Sequence, residues 1–447
     1  MKITLKNQIE ISEIEGYEDD FIEDLTTFDN PKYFEAIKQK RSVRLIDPKI
    51  YLHSYDEDDN TIVPIGLLEA LLKEFPDCEV IDQRNTQPVE IPFSGTLRDY
   101  QQSFVSDAIK ARGGVLVAAT GAGKTVSGIA LAARLGQRCL ILVKSGDLAA
   151  QWIHAVKQFT GLECGLIGGG RNTQGLQFTV GLVQSLVKRD LSALDYGLVI
   201  ADEAHNIPAK QAYTVINGLD ALYKYGLSAT PQRRDSLEFM IHAALGEIVS
   251  EIHQGDLEGK VLPVRIETVS HDFYGSPESW NDFINILIDD DSRNEIIINL
   301  AKQQTRPTII LCSQVRHCEI LTTLAQQAGL QPLMIHGGLS ARVRAGRMQQ
   351  AMNARLVIGT SQLLSEGIDL PPLEVLIFAS PMSAVVVKEG GPAATKLIQS
   401  IGRCRRPYPG KLFAKVYDLV DRCGFGISAY RNGRKSITCK AGVFSND

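Results

Sequence analysis

The stretch VLVAATGAGKT, residues 115–125, decides how the chain is interpreted. The apolar run Val115–Ala119 predicts a buried parallel strand, and the apolar spacing after Thr125 predicts a helix. Gly121 and Gly123 lie between them, where glycine lets backbone N–H groups approach phosphate oxygens and the helix N-terminus adds its positive dipole end. Strand, glycine loop and helix in this order predict a phosphate-binding loop, although Ala118 stands where the general pattern has glycine.

This loop predicts a nucleotide and Mg²⁺ as ligands. Lys124 reaches the β and γ phosphates, and the Thr125 hydroxyl holds Mg²⁺. The remaining residues of the predicted cradle are Thr120, Gly121, Ala122 and Gly123. The alternative, a glycine-rich turn that happens to carry a lysine, is weakened by the acidic motif described below.

Composition sets the broad class of protein. The 447 residues are 44% apolar with a net charge of −5, which predicts about two or three globular domains and no uniformly basic surface. We expect no membrane span, since no apolar run of about 18 residues occurs. We also expect no signal peptide, since the N-terminal stretch MKITLKNQIEISEIEGYEDD lacks an apolar core. The eight cysteines are scattered, which favours free thiols in a reducing, cytoplasmic compartment.

The N-terminal block, residues 1–90, predicts a small α+β accessory domain that binds DNA, and 85–95 predicts a linker. An acidic start is followed by a basic and aromatic segment: Lys32, Tyr33, Phe34, Lys38, Lys40, Arg41, Arg44 and Tyr51. Two interpretations stay open. The segment contacts phosphates and stacks on bases, or it is a solvated helix face over core aromatics.

The rest of the chain alternates short apolar strands with helical patterns in two blocks, 91–255 and 256–447. The predicted strands include Cys139–Val143, Thr179–Leu182, Gly197–Ala201, Thr308–Cys312, Pro332–Ile335, Leu356–Thr360, Val375–Ala379 and Lys415–Val420. The alternation predicts an α/β protein with two tandem doubly wound parallel sheets, joined by a connector at Gly246–Pro263. Ligands bind at the carboxyl ends of such strands.

Polar residues at one strand end and ahead of one helix suit nucleotide chemistry. Asp202 and Glu203 close the strand Gly197–Ala201. There Asp202 can hold Mg²⁺ and Glu203 can accept a proton from an attacking water. Just ahead of a helix predicted at Ser103–Lys110, the Gln101 amide offers the paired donor and acceptor that suit the edge of adenine.

With these residues in place, the chain resembles the superfamily 2 helicases over about residues 97–421. The matching motifs, in chain order, are LRDYQ, ATGAGKT, LVKSGDLAAQW, DEAH, LSATP, IGTSQLLSEGIDLP and QSIGRCRRP. The versions LSATPQRRD and NPKYFEAIKQKRSVR are similar to the phage branched-DNA helicases of the UvsW kind and to the XPB and RecG branch. The resemblance implies two RecA-like domains that bind ATP and Mg²⁺.

The resemblance also implies roles for individual residues. Arg98, Gln101 and His205 belong to the nucleotide site. Gln399, Arg403 and Arg406 match the QxxGRxxR pattern that reaches the γ-phosphate, and Asp369 couples the nucleotide to domain closure. Ser400 departs from the arginine that many members carry. The implied contacts to the nucleic-acid backbone are Lys144, Ser145, Gln184, Ser185, Gln314 and Thr360.

These roles predict a monomeric ATP-dependent DNA helicase that unwinds or branch-migrates forks and four-way junctions in recombination, replication or repair. Its location would be the cytoplasm, that of the host if the chain is phage-encoded. Two alternatives are a duplex translocase that does not unwind, and an RNA helicase. A nucleotide-gated DNA clamp is a third, against which Glu203 and the two arginines speak. We see no additional acidic cluster for a nuclease.

Overall fold

The computed structural model describes residues 1–119, 121–229, 236–253, 255–257, 261–361, 370–381 and 395–431. Contacts divide the chain into two compact units, Met1–Ile252 and His253–Asp447. The first unit contains both the N-terminal block and the phosphate loop. The boundary predicted near residue 90 therefore falls inside a unit, and it stays a prediction.

The N-terminal block is α+β, with a five-stranded sheet in the order β5-β6-β2-β1-β7 and a separate β3–β4 pair. Alternate side chains of its first two strands, such as Ile3 and Ile9, point into one apolar core. Its elements are β1 Lys2–Leu5, β2 Ile9–Ser12, α1 Gly16–Thr26, β3 Thr27–Asp29, α2 Pro31–Lys38, β4 Lys49–Tyr51, β5 Ser54–Tyr55, β6 Thr61–Val63, a 3-10 turn Ile65–Leu67, α3 Leu68–Glu74 and β7 Glu79–Asp82.

This block packs tightly on the rest of the first unit. The rings of Phe28 and Phe239 stack with centroids 4.1 Å apart. The buried Lys224 ammonium donates to the Asn7 carbonyl at 2.7 Å. The predicted linker is also held down, because the Val89 N–H donates to the Gly136 carbonyl at 2.9 Å. It is a packed segment and not a free tether.

The first large sheet has eight strands in the order β11-β10-β12-β9-β13-β14-β8-β15. All neighbours are parallel except β10 and β11. Its strands are β8 Gly114–Ala118, β9 Cys139–Val143, β10 Cys164–Gly168, β11 Arg171–Thr173, β12 Phe178–Leu182, β13 Leu198–Asp202, β14 Tyr223–Ser228 and β15 Ile248–Ile252. The strand β15 corrects the predicted connector, since part of that segment pairs with β8.

Helices connect these strands and cover the sheet. They are α4 Asp99–Ala111, α5 Lys124–Leu135, α6 Gly146–Thr160, α7 Val183–Leu186, α8 Lys210–Gly218 and α9 Glu238–Leu245, with 3-10 turns at Ala204–Asn206 and Gly255–Leu257. The helix α4 begins at Asp99 and not at the predicted Ser103. The Gln101 side chain accepts the Arg98 N–H at 2.9 Å, which caps the helix start.

The second unit contains a six-stranded sheet in the order β16-β21-β20-β17-β19-β18, with every pair parallel. Its elements are β16 Val264–His271, α10 Trp280–Asp289, α11 Asp291–Gln303, β17 Thr308–Cys312, α12 Val315–Gln327, β18 Pro332–Ile335, α13 Ala341–Ala351, β19 Leu356–Thr360, β20 Val375–Phe378, α14 Thr395–Cys404 and β21 Ala414–Asp421. Residues 424–431 are also helical.

Both faces of this second sheet are covered by apolar cores. Along β17, Ile309 and Leu311 enter one core, while Ile310 and Cys312 enter the other. A strand that is buried on both faces is a continuous apolar run in the sequence. This is why β17 could be predicted from the sequence. The predicted α/β class with two parallel sheets is confirmed. No helix among the described residues is long and apolar enough to cross a membrane.

Candidate active site

The phosphate loop lies between β8 and α5, as the sequence predicted. Gly121 and Gly123 have φ angles of 91° and 87°, a region that favours glycine. A Cβ atom at Gly123 would lie 2.4 Å from Gln101 Nε2, so a side chain there would displace the Gln101 amide. Lys124 begins α5. The backbone is therefore shaped for close approach to phosphate; Thr120 lies outside the described residues.

Gln101 ties the start of α4 to this loop. Its Nε2 donates to the Ala122 carbonyl at 2.8 Å, and its Oε1 accepts from the Arg98 backbone. The side chain is 5% exposed, and both ends of the amide are engaged within the protein. The predicted contact with adenine stays a prediction.

Asp202 is the last residue of β13 and both its oxygens accept hydrogen bonds. Oδ2 accepts from Trp152 Nε1 at 2.8 Å, and Oδ1 accepts from the Glu203 N–H at 2.9 Å. Burial and, next, the negative charge of Glu203 raise the pKa of Asp202 to about 6. The Trp152 hydrogen bond and the positive charge of Lys124 act in the opposite direction. The positive charge of Lys124 therefore does not fully offset the effect of burial and of Glu203 on Asp202.

Glu203 has a left-handed backbone, with φ at 52°, which turns the chain sharply at the strand end. His205 Nδ1 lies 3.2 Å from Glu203 Oε2 and 3.4 Å from Ser228 Oγ. Ser228 ends β14, the neighbour of β13. The histidine therefore lies between the predicted base and the end of the adjacent strand.

These residues suit a divalent cation bound together with a nucleotide. Glu203 Oε2 accepts no hydrogen bond within the described chain, although His205 Nδ1 lies 3.2 Å away. The pKa of Asp202 is raised despite the positive charge of Lys124, so a divalent cation would offset the negative charge of this pair. No group of three His, Cys, Asp or Glu side chains that could hold a metal occurs in the described ranges. This donor set fits Mg²⁺ held by one carboxylate, the Thr125 hydroxyl and the phosphates of the substrate.

The residues of the first unit that are predicted to contact nucleic acid lie at the ends of two neighbouring strands, on the same edge of the sheet. Lys144 and Ser145 follow β9, and Gln184 and Ser185 lie in α7 directly after β12. These two strands pair in parallel. A cavity of about 210 Å³ at this edge is lined by residues that include Lys144, Gln184, Asp202 and Glu203. The structure thus brings Lys144 and Gln184 beside the two carboxylates.

In the second unit, Gln314 follows β17 and Thr360 ends β19, and these strands are also neighbours. Gln314 Nε2 donates to Asn285 Oδ1 at 3.2 Å. The two predicted contacts therefore share one edge of the second sheet.

The predicted arginines of the second unit lie at the end of α14. Arg403 is in its last turn and Arg406 follows it; both are partly exposed. Arg405, between them, is 8% exposed and donates its Nε to the Leu262 carbonyl at 2.8 Å. Its role is structural. Gln399 lies on α14 without a described side chain, and Asp369 lies outside the described residues.

Two protein-family models match the chain. "Type III restriction enzyme, res subunit" covers residues 94–233, and "Helicase conserved C-terminal domain" covers residues 292–407. The chain belongs to superfamily 2 of the helicases. The resemblance inferred from the motifs is confirmed, and this superfamily 2 helicase is a nucleic-acid-dependent ATPase.

Curated relatives and solved structures that resemble this superfamily 2 helicase agree with the family assignment. The probable helicase D10 of Escherichia phage T5 is 27% identical over 394 residues, 84% of either chain. The putative DNA 3'-5' helicase Rad25 of Halobacterium salinarum is 26% identical over 357 residues, 73% of this chain and 55% of the relative. The structure of S. cerevisiae Dbp5 bound to RNA and ADP BeF3 matches with a TM-score of 0.56 and 15% identity, over 86% and 93% of the chains. That match confirms the RecA-like fold.

Sequence reasoning missed the partner of Asp202. Trp152 lies on the apolar face of α6, but nothing in a local pattern shows that its N–H points to the Asp202 carboxylate. It also missed a buried ion pair in the second unit. Arg293 Nε donates to Asp421 Oδ1 at 2.7 Å, and both side chains are 0% exposed.

Proposed function

We propose that this helicase is an ATP-driven DNA motor that unwinds or branch-migrates forks and four-way junctions. One observation carries the proposal. The phosphate loop, Asp202 and Glu203 lie at the same edge of one sheet as Lys144 and Gln184, which the resemblance assigns to the nucleic-acid backbone. Nucleotide and nucleic acid would therefore meet the same edge of the sheet, at the ends of β8 and β13, with β14 between them, and at the ends of the adjoining β9 and β12. Either ligand would then be able to alter the site of the other.

The residues of the first unit would each have a different role in ATP hydrolysis. Lys124 would contact the β and γ phosphates of ATP, while Asp202 and Thr125 would hold Mg²⁺. The bound metal would neutralise charge that develops on the phosphates during transfer. Glu203 would accept a proton from the attacking water. His205, 3.2 Å from Glu203, would hold this carboxylate in place through its contact with Ser228.

The second unit would supply arginine side chains to the reaction. The resemblance assigns Arg403 and Arg406 to the γ-phosphate, together with Gln399, and assigns Asp369 to coupling. A guanidinium aimed at the transferring phosphoryl group accelerates hydrolysis by roughly 10³-fold or more. Arg405 is excluded from this role, because its guanidinium is committed to the Leu262 carbonyl.

The N-terminal block offers a second surface for nucleic acid. Five basic side chains on and after α2 form no ion pair within residues 1–119: Lys32, Lys38, Lys40, Arg41 and Arg44. Phe34 and Tyr51 are 49% and 52% exposed. Basic side chains with exposed rings suit phosphate contact and base stacking, which favours the DNA-binding interpretation of this segment over core aromatics.

More of the relatives are named for DNA than for RNA. Rad25 of Halobacterium salinarum and Rad25 of Haloarcula marismortui are named as putative DNA helicases, whereas L396 of Acanthamoeba polyphaga mimivirus, 26% identical over 77% of this chain, is named as a putative RNA helicase. The likeness to Dbp5 bound to RNA is at 15% identity and concerns the fold alone. A translocase that moves on duplex without separating it uses the same site, so this alternative is decided by experiment.

The test is the ATPase rate of the full chain with no nucleic acid, single-stranded DNA, duplex DNA, a four-way junction and RNA, paired with gel assays of strand separation. We expect the junction to stimulate most and to yield branch-migrated products. Stimulation of the ATPase by duplex DNA without any strand-separated or branch-migrated product would favour the translocase alternative. Stimulation by RNA alone would assign an RNA helicase, and indifference to every nucleic acid would overturn the motor assignment.

A further inference from the structure

Trp152 connects two parts of the nucleotide site that are distant in sequence. The residue lies in the middle of α6 and is 1% exposed. Its indole Nε1 donates to Asp202 Oδ2 at 2.8 Å. A buried indole N–H needs an acceptor, and here the acceptor is the carboxylate that the proposed function places at the metal.

The helix that follows the phosphate loop makes room for this ring. A Cβ atom at Gly128 of α5 would lie 2.9 Å from Trp152 Cη2 and 3.2 Å from Leu227 Cδ1. Gly128 does not have the positive φ angle that would itself favour glycine, so close packing explains the residue. The indole is therefore fixed between α5 and the end of β13, and its N–H direction is fixed with it.

The start of the same helix lies at the predicted nucleic-acid edge. The Ser145 hydroxyl caps α6 by accepting the Leu148 N–H at 3.4 Å, and Lys144 precedes it. Trp152 lies seven positions after Ser145, about 10 Å along a helix. A helix is stiff over that length, so a shift at its start moves the indole N–H with it.

We propose that Trp152 is a positioning residue that orients Asp202 for the metal and transmits nucleic-acid contact at the start of α6 to that carboxylate. The inference rests on the proposed role of Asp202. The N–H fixes Oδ2, and the Glu203 N–H fixes Oδ1, so the carboxylate plane is set before a cation binds. Removing such an outer partner of a metal ligand costs about 10–100-fold in metal affinity.

The experiment compares Trp152→Phe with Trp280→Phe in the full chain. Trp280 is the second of the two tryptophans; it lies in α10 and packs against Phe283 and Phe425. Binding of a fluorescent ADP derivative is titrated with Mg²⁺, without nucleic acid, and repeated in EDTA. We expect Trp152→Phe to raise the half-saturating Mg²⁺ concentration on the order of 10-fold, with binding in EDTA unchanged, while Trp280→Phe changes neither.

Equal Mg²⁺ dependence of Trp152→Phe and the parent chain would overturn the proposal. Equal loss of binding with and without Mg²⁺ would also overturn it, because the residue would then support the loop only. Transmission is read from the ratio of DNA-stimulated to basal ATPase, which we expect to fall severalfold in Trp152→Phe. An unchanged ratio would remove the transmission half of the proposal.

A second variant separates the N–H from the shape of the ring. Replacing Trp152 by 3-benzothienylalanine keeps the bicyclic ring and replaces the N–H by sulfur. We expect this protein to fold as the parent does and to show the raised Mg²⁺ requirement. A parental Mg²⁺ requirement would assign packing alone to Trp152. Since the titration contains no DNA, its result is independent of whether branched DNA proves to be the substrate.

Discussion

Asp202 and Asp421 are both last residues of strands in parallel sheets, but they have opposite surroundings. Asp421 is 0% exposed and accepts from the equally buried Arg293 and, at 2.9 Å, from His271 Nδ1. Asp202 accepts from the neutral Trp152 N–H and a backbone N–H, with Glu203 beside it. One carboxylate has its counterion inside the chain and stabilises the fold. Asp202 forms no ion pair within the described residues and keeps a raised pKa despite the positive charge of Lys124, and the proposed function assigns Mg²⁺ to it.

The largest expected effect is on the rate of ATP hydrolysis, when the carboxylate beside Asp202 is replaced. Glu203→Gln should lower the steady-state ATPase rate by about 10²–10⁴-fold, because the amide cannot accept the proton, while nucleotide binding and the unfolding midpoint persist. The control is Glu163→Gln, an acid whose side chain is 86% exposed. A Glu203→Gln protein that hydrolyses ATP at the parental rate would refute the assignment of the base.

The next effect is on the stability of the second unit. Arg293→Met leaves Asp421 buried without its counterion, which should lower the free energy of unfolding by about 3–5 kcal/mol. Urea unfolding followed by Trp280 fluorescence, in a Trp152→Phe background, reports this unit. Arg316→Met is the matched control, since Arg316 and Asp289 form an exposed pair worth about 1 kcal/mol or less. Equal losses in both variants would contradict the contrast between the two carboxylates.

Replacement of Asp202 should change the free energy of unfolding in the opposite direction. Asp202→Asn removes a half-buried negative charge beside Glu203, and it should raise the free energy of unfolding of magnesium-free protein at pH 8 by about 1–2 kcal/mol. The readout is Trp152 fluorescence during urea unfolding, in a Trp280→Phe background. Asp421→Asn serves as the comparison and should destabilise. If Asp202→Asn also destabilised, the site would be a structural pair like the one in the second unit.

The smallest effect concerns Lys224, a third buried charge, with no ion-pair partner in the described part of the chain. Burial lowers the pKa of Lys224 from 10.5 to about 7. Between these values the unfolded chain holds a proton that the folded chain releases, so stability rises with pH. We expect a rise of roughly 1 kcal/mol between pH 7 and 8.

Urea unfolding of the first unit at pH 7, 8 and 9 measures this slope. Lys224→Met should flatten it, because the titrating amine is gone, whereas Lys157→Met, at a side chain 55% exposed, should leave it unchanged. Parallel slopes in all three proteins would show that Lys224 stays charged in the fold.

Strands with continuous apolar runs were predicted, and four strands that lack such runs, β10, β11, β15 and β16, were missed. The predicted bounds of the interior strands Thr308–Cys312 and Leu356–Thr360 match the structure, and so do those of the edge strand Pro332–Ile335. The missed strands β15 and β16 lie at sheet edges, with interspersed polar residues in IVSEI and VRIETVSH. A strand covered on both faces is a continuous apolar run, whereas an edge strand is partly solvated and lacks that pattern.

The sequence by itself determined the phosphate loop and the polar strand ends. Strand, glycine turn and helix follow one another in the chain, and parallel strands bring their carboxyl ends to one edge, so these residues meet whatever the details of packing. Only the tertiary structure decided their partners. Trp152 lies 50 residues from Asp202, Arg293 lies 128 from Asp421, and Lys224 lies 217 from Asn7. Such contacts depend on how helices pack across sheets, and no local periodicity records which buried donor will face which acceptor.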